Sequence, residues 1–318
     1  MKKLKFLLPL LLVVFAFTSC EDNDDPAILE VQTIADLASA SPNLSSLVSA
    51  LQRADLVNTL RGNGPFTVLA PTNDAFDAFL AANGFDSLEE VPVDLLTQVL
   101  LNHVIAGSLE STQLSTGYAN TSATSAASGT AMSIYIDTSN GVTFNGTSTV
   151  SNPNINADNR VIHIVDSVIG LPTVVDFALA DPNFSTLVAA LTRDDLTTDF
   201  VSILSTPNGT APAPFTVFAP INDAFGDLLD ELQVMMLSDI DEPTLNATLT
   251  YHVVGGANVL ASALTDNFTV PTLGGDITAN VTGGATLTDS NGRVSAIIAT
   301  DVQANNGVIH AINKVILP

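Results

Sequence analysis

The stretch "FTVLAPTNDAF" runs from Phe66 to Phe76, and "FTVFAPINDAF" runs from Phe215 to Phe225. Two nearly identical lines 149 positions apart set a period too long for a solenoid unit and right for a whole domain. Each line opens on a short apolar run rich in β-formers, which predicts a buried strand. Pro71 and Pro220 end it, because proline cannot donate to a ladder. Asn73 and Asn222 are expected to cap the helix that follows. Phe76, Phe79 and Leu80 then form one apolar face, matched by Phe225, Leu228 and Leu229. Asp74 and Asp223 fall in the first turn, where a carboxylate suits the helix dipole, so a structural role is expected of both.

The repetition extends outward. "TIADLASASPNLSSLVSAL" (33–51) matches "TVVDFALADPNFSTLVAAL" (173–191). Leu44, Leu47, Val48 and Leu51 stand at i, i+3, i+4, i+7, as do Phe184, Leu187, Val188 and Leu191, the stripe of an amphipathic helix. Asn43 and Asn183 precede it, in the position of an N-cap. A second helical pattern ends in "LLNHVIAG" (100–107) and "LTYHVVGG" (249–256), with His103 and His252 on its apolar face. Ser-, Thr-, Asn- and Gly-rich stretches follow, predicting strands with many turns. "DTSNG" (137–141) and "TDSNG" (288–292) resemble fragments of calcium loops but lack the later acid, so hairpin turns are expected. Each copy closes on a strand, "RVIHIVDSVI" (160–169) and "GVIHAINKVI" (307–316). Asn306-Gly307 ahead of the second is the type I′ turn signal. "STPNGTAPA" (205–213) is an insertion in copy two, expected as a surface loop.

Of 318 residues, 46% are hydrophobic and 13% charged, which excludes a disordered chain. The net charge is −24, with three of nine cations at Lys2, Lys3 and Lys5. So acidic a surface repels nucleic acid and anionic headgroups. It serves solubility or contact with cations; both readings stand. One cysteine, Cys20, rules out an intrachain disulfide. No Trp and three Tyr argue against an aromatic platform for sugars.

Lys2, Lys3 and Lys5 precede the apolar run Phe6–Phe17 and then "FTSC". The run is right for a signal h-region and short for a membrane span. With small residues just before Cys20, the segment resembles the lipobox of bacterial lipoproteins, which implies cleavage at Cys20 and its lipidation. "EDNDDPA" (21–27) reads as an acidic tether and resembles a surface-export signal of Gram-negative lipoproteins. The expected organisation is a signal peptide at 1–19, a tether at 20–31 and two domains at 32–172 and 173–318.

Three ordered motifs, each present twice, resemble the fasciclin-type (FAS1) domain: the opening line, the Tyr-His segment and the closing strand. The resemblance implies an α+β fold, two tandem domains, each a twisted wedge-like β-sandwich packed with a helical cluster. It also implies adhesion to cells, matrix or polysaccharide. With the lipobox and export-signal resemblances, the protein is expected to be lipid-anchored in the cell envelope, at the outer membrane and surface-exposed, and its acidity makes calcium bridging one route to contact. Its motif residues here are Asn73, Asp74, His103, His163, Asn222, Asp223, Tyr251, His252 and His310. Copy one departs from the pattern with Asn102 in place of Tyr and Arg160 in place of Gly, and copy two with Asn313 where copy one has Asp166. All four histidines occupy matched positions; packed structural rings are expected, against a metal or acid–base pair in each copy. No catalytic motif or cofactor loop is present. A carrier of a small apolar ligand is the first rival reading, and an enzyme on this fold the second.

Overall fold

The opening line becomes, in each copy, a strand paired on both sides. The computed structural model describes residues 41–61, 64–157 and 160–318; the expectations for the leader, Cys20 and the tether lie outside them. In copy one, a 3₁₀ turn (Pro42–Leu44) leads into α1 (Ser45–Arg53) and α2 (Val57–Arg61). Strand β1 (Phe66–Pro71), α3 (Asn73–Ala82) and α4 (Val93–Asn102) follow. Six strands complete the copy: β2 (Val104–Ala106), β3 (Gly117–Thr124), β4 (Ala131–Asp137), β5 (Thr143–Phe144), β6 (Ser148–Ala157) and β7 (Arg160–Val165). Copy two repeats the order with α5 (Val174–Ala180), α6 (Ser185–Leu191), α7 (Phe200–Leu204), β8 (Phe215–Pro220), α8 (Asn222–Leu232) and α9 (Glu242–Tyr251). Its remaining strands are β9 (Val253–Gly255), β10 (Phe268–Thr272), β11 (Gly275–Asn280), β12 (Thr286–Thr288), β13 (Val294–Gln303) and β14 (Gly307–Ile312).

β1 runs antiparallel to β2 and parallel to the closing strand β7, with Phe66 opposite Arg160. β8 sits likewise between β9 and β14, with Phe215 opposite Gly307. The strand pairing closes on itself in copy one; in copy two the order is β10-β11-β12-β13-β14-β8-β9. A strand paired on both sides and packed on both faces is buried throughout, and all six residues of β8 are buried. Its alternation serves two cores. Val217 and Ala219 face the helices, with Leu187, Phe225 and Leu245. Phe218 faces the sandwich, with Tyr251, Ile277 and Leu287. Val68 and Ala70 pack on Leu47, Leu51 and Phe76 in copy one, and Leu69 packs on Ile105, Ile134 and Phe144.

Three local expectations are corrected. Asn73 and Asn222 are the first helical residues, and the residues ahead of them, Thr72 and Ile221, hold the N-cap positions. Only Thr72 caps with its side chain, accepting from the Ala75 amide. Nor do Asn43 and Asn183 cap the amphipathic helices: both lie inside 3₁₀ turns, and Leu44 and Phe184 stand at the N-caps. Asn306-Gly307 does not form a type I′ turn either, since neither residue has the positive φ that the turn demands. Gly307 is needed for closeness instead: a Cβ there would lie 2.5 Å from the Phe215 carbonyl oxygen. "DTSNG" and "TDSNG" are turns between paired strands, each opened by an aspartate (Asp137, Asp289) accepting the amide two residues on.

The described part of both copies belongs to one compact unit, Gln32–Pro318. Tyr135 of copy one is built into the helix-side core of copy two. Its neighbour Tyr118 stacks edge-on against Phe177, with ring centroids 5.6 Å apart. The insertion 205–213 does more than loop over the surface, because the Asn208 amide donates to the Ala126 carbonyl of copy one.

Candidate functional site

The motif asparagines act at a distance. Asn73 Oδ1 accepts the Ser46 amide (2.9 Å), and its Nδ2 donates to the Pro42 carbonyl (2.9 Å). Asn222 Oδ1 accepts the Thr186 amide (2.9 Å), and its Nδ2 donates to the Pro182 carbonyl (2.9 Å). Each therefore caps the amphipathic helix of its copy, whose own N-cap is an apolar residue without an acceptor. Asp74 and Asp223 stand in the first turns of α3 and α8, exposed.

The four histidines form two matched pairs with opposite protonation patterns. His103 and His252 follow directly on α4 and α9 and are buried. Their Nδ1 atoms lie 2.7 Å from the carbonyls of Val99 and Thr248, and a carbonyl can only accept, so Nδ1 carries the proton. Nε2 then accepts the amide of Ile169 or Ile316, beyond the closing strand. Burial pushes both rings down to about 4, against a smaller upward effect of the helix carbonyl. His163 and His310 lie in β7 and β14 and reverse the roles: Nε2 donates to the carbonyl of Leu109 or Val259. Their Nδ1 accepts the amide of Asn154 or Asp301. Those two residues have positive φ (60° and 59°) and sit at matched irregularities of β6 and β13, a conformation Asn and Asp tolerate better than most. Burial lowers the pKa of His163 and His310 too. Every ring nitrogen is thus engaged by backbone. Among the described residues no group of three or more His, Cys, Asp or Glu is placed to hold a metal ion.

Tyr251 is fully buried; its hydroxyl donates to the Asp276 carbonyl (2.7 Å) and accepts the Ser290 amide. Gly274 presses on its backbone, so a Cβ there would come within 2.7 Å of the Tyr251 nitrogen. In copy one Asn102 takes a different set, donating to the Gly170 carbonyl (2.8 Å) and accepting from Thr121. Asp166 and Asn313 do one job with the same atom, accepting the Thr149 and Ala296 amides.

Two matched pairs and one junction residue escaped the sequence reading. Arg53 and Arg193 reach across to the carbonyls of Val91 and Ile240. Thr67 and Thr216, buried in the central strands, each accept one amide and donate to one carbonyl of the segment that the strand histidine also holds. Their matched positions in the repeat were the available signal. Gln303 is the third case, at the junction. Its amide N–H donates to Ser133 Oγ (2.9 Å), and its side chain donates to Ser125 Oγ and Asn258 Oδ1. Ser125 in turn donates to the Ala304 carbonyl (2.6 Å). Burial, reinforced by the nearby Asp181 carboxylate, pushes the Tyr135 hydroxyl up to about 12 and Tyr118 beyond the usual phenol range. Both phenols therefore stay neutral.

Beside this junction lies a cleft of about 550 Å³. Copy one supplies Ala78, Phe79, Val99 and Leu171, and copy two supplies Ser205 and Asn305. No charged side chain lines it, although the chain carries 33 acids.

In this two-copy α+β protein the motif asparagines, histidines and Tyr251 are bonded to the chain's own backbone. The fasciclin domain model matches residues 42–172 and 182–318, and the chain belongs to that family. Protein sll1483 of Synechocystis sp. is 36% identical over 137 residues, 43% of this chain and 72% of that protein. The cell surface glycolipoprotein MPB83 of Mycobacterium bovis is 44% identical over 81 residues, 23% of this chain and 34% of that protein. Among solved structures, the FAS1 domain pair from the insect cell adhesion molecule fasciclin I aligns with a TM-score of 0.52 at 18% identity. The alignment covers 87% of this chain and 97% of that one, and it shows the fold.

Proposed function

We propose that this protein is a surface-anchored binding protein that attaches cells to one another, to matrix or to polysaccharide, with Cys20 as its lipid anchor. The observation that carries the reading is the fasciclin match in both copies, a domain found in relatives named for the cell surface or for adhesion. Engagement of all eight histidine nitrogens by backbone supports binding over catalysis, because a general base or metal ligand needs a free lone pair. The uncharged junction cleft is where a neutral polymer segment fits best, since the rest of so acidic a surface favours cations or basic groups. Calcium bridging is the proposed route to contact with other acidic surfaces. Among the described residues no single helix is long and apolar enough to cross a membrane; the proposed attachment is the lipid at Cys20.

Fractionation tests the anchor. Wild-type protein is expected in the membrane pellet and open to protease added to whole cells. Cys20→Ala is expected in the soluble fraction, because acyl chains supply the membrane affinity. A Cys20→Ala protein that pellets like wild type contradicts the anchor.

A further inference from the structure

Copy two holds a pocket of about 110 Å³ between α5, α6, α7 and the helix-facing side of β8 and β14. Leu187, Phe200 and Leu204 form its walls, and Val217, Ala219 and Ile309 its floor. Of the fourteen lining residues only Thr192 is polar, and its hydroxyl is turned back to the Val188 carbonyl of its own helix (2.8 Å). The pocket therefore offers no hydrogen bond and no charge to an occupant. A void so lined does not hold water. At its mouth Leu179 is 63% exposed and Val201 39% exposed.

Two features stand against the ordinary economy of a core. The apolar walls of this hollow lack protein packing partners on one side, and an exposed leucine beside it leaves apolar area in water. One occupant relieves both: a thin hydrocarbon that fills the void and lies across Leu179 and Val201 as it leaves. A cavity of about 150 Å³ takes a benzene ring, so this one seats about three or four carbons of a chain end. A rigid ring system or a bulky head is too large. The head must remain outside, next to a chain with a net charge of −24, which repels a carboxylate. We infer that this pocket binds the end of an uncharged hydrocarbon chain, the tail of a long-chain or isoprenoid alcohol being the fitting class. The inference stands apart from adhesion: it rests on the helix side of copy two and not on the junction cleft.

Titration of the purified protein with 1-decanol, followed by methyl NMR, tests it. Saturable shifts are expected at Leu187, Val217 and Ile309, and decanoate should bind at least about tenfold more weakly than decanol. Ala178→Phe, placed on α5 at the pocket wall, should fill the space of about three methylenes and weaken decanol about 50-fold. Should that variant fail to fold, Leu179→Ser at the exposed mouth keeps the test open and is expected to weaken decanol severalfold. The inference is overturned by the absence of saturable shifts at these methyls, by shifts confined to the junction cleft, or by decanoate binding equal to decanol. It is equally overturned if a leucine-ended peptide occupies the pocket and decanol does not, which would assign it to a protein partner.

Discussion

Asn222→Ala isolates the long-range cap. The substitution removes three hydrogen bonds: the Thr186 amide and Ser185 hydroxyl lose Oδ1, and the Pro182 carbonyl loses Nδ2. The Thr186 bond is partly buried, and its loss is that of an N-cap, about 1 kcal/mol with a range of roughly 0.5–2. The other two are exposed, and water recovers most of their worth, leaving a few tenths each. The expected cost is about 1–2.5 kcal/mol. Asp223→Ala, one residue on, loses only a carboxylate near the helix dipole and should cost at most about 0.5–1 kcal/mol. Asn222→Asp keeps the acceptor and loses the donor, so it should recover more than half of the alanine loss. Urea unfolding reads all three as midpoint shifts at unchanged slope. The reasoning is refuted if Asn222→Ala costs no more than Asp223→Ala, or if Asn222→Asp is as damaging as Asn222→Ala.

The histidines predict a spectrum and a pH dependence: ring nitrogen NMR should show Nδ1–H at His103 and His252 and Nε2–H at His163 and His310, with His103 and His252 neutral at pH 5.5. His103 and His252 fall from the ordinary 6.5 to about 4 in the folded state, so the rings cost no stability above about pH 6.5. As pH falls from there to about 4 the unfolded chain takes up protons that the folded rings refuse, and stability declines; a charged His103 or His252 ring at pH 5.5, or a zinc-dependent rise in Tm, contradicts the assignment. Gly307→Ala should cost about 1–3 kcal/mol through overpacking against the Phe215 carbonyl, read by thermal denaturation, and a neutral result would show that β8 and β14 are not held as close as described.

Much of this architecture was legible because it is written twice. The central strand, the amphipathic stripe and the closing strand all show in local periodicity, and Leu47 and Leu187 or Phe76 and Phe225 prove to be matched core residues. What escaped was tertiary. Asn73 looks like the cap of its own helix because capping is a local pattern; its real partner, the Ser46 amide, lies 27 residues away. Asn306-Gly307 carries a turn signal, yet strand proximity selects the glycine. The histidines were legible as buried, whereas the tautomers of His163 and His310 depend on backbone partners more than fifty residues off, Leu109 and Val259. The junction gave the least signal. Gln303 and Ser125 look like surface residues in a polar stretch and are buried only because the copies pack together.

The central claim is that the paired copies bind a surface. Because Tyr135 of copy one lies in the core of copy two, the pair is tested intact. Beads coated with the protein are applied to cells and to envelope polysaccharide beside albumin-coated beads, over a range of salt and calcium. The account predicts attachment well above albumin, competed by soluble protein and lowered by a calcium chelator, since acidic surfaces otherwise repel one another. Coated beads that attach no better than albumin at every salt and calcium level would contradict it.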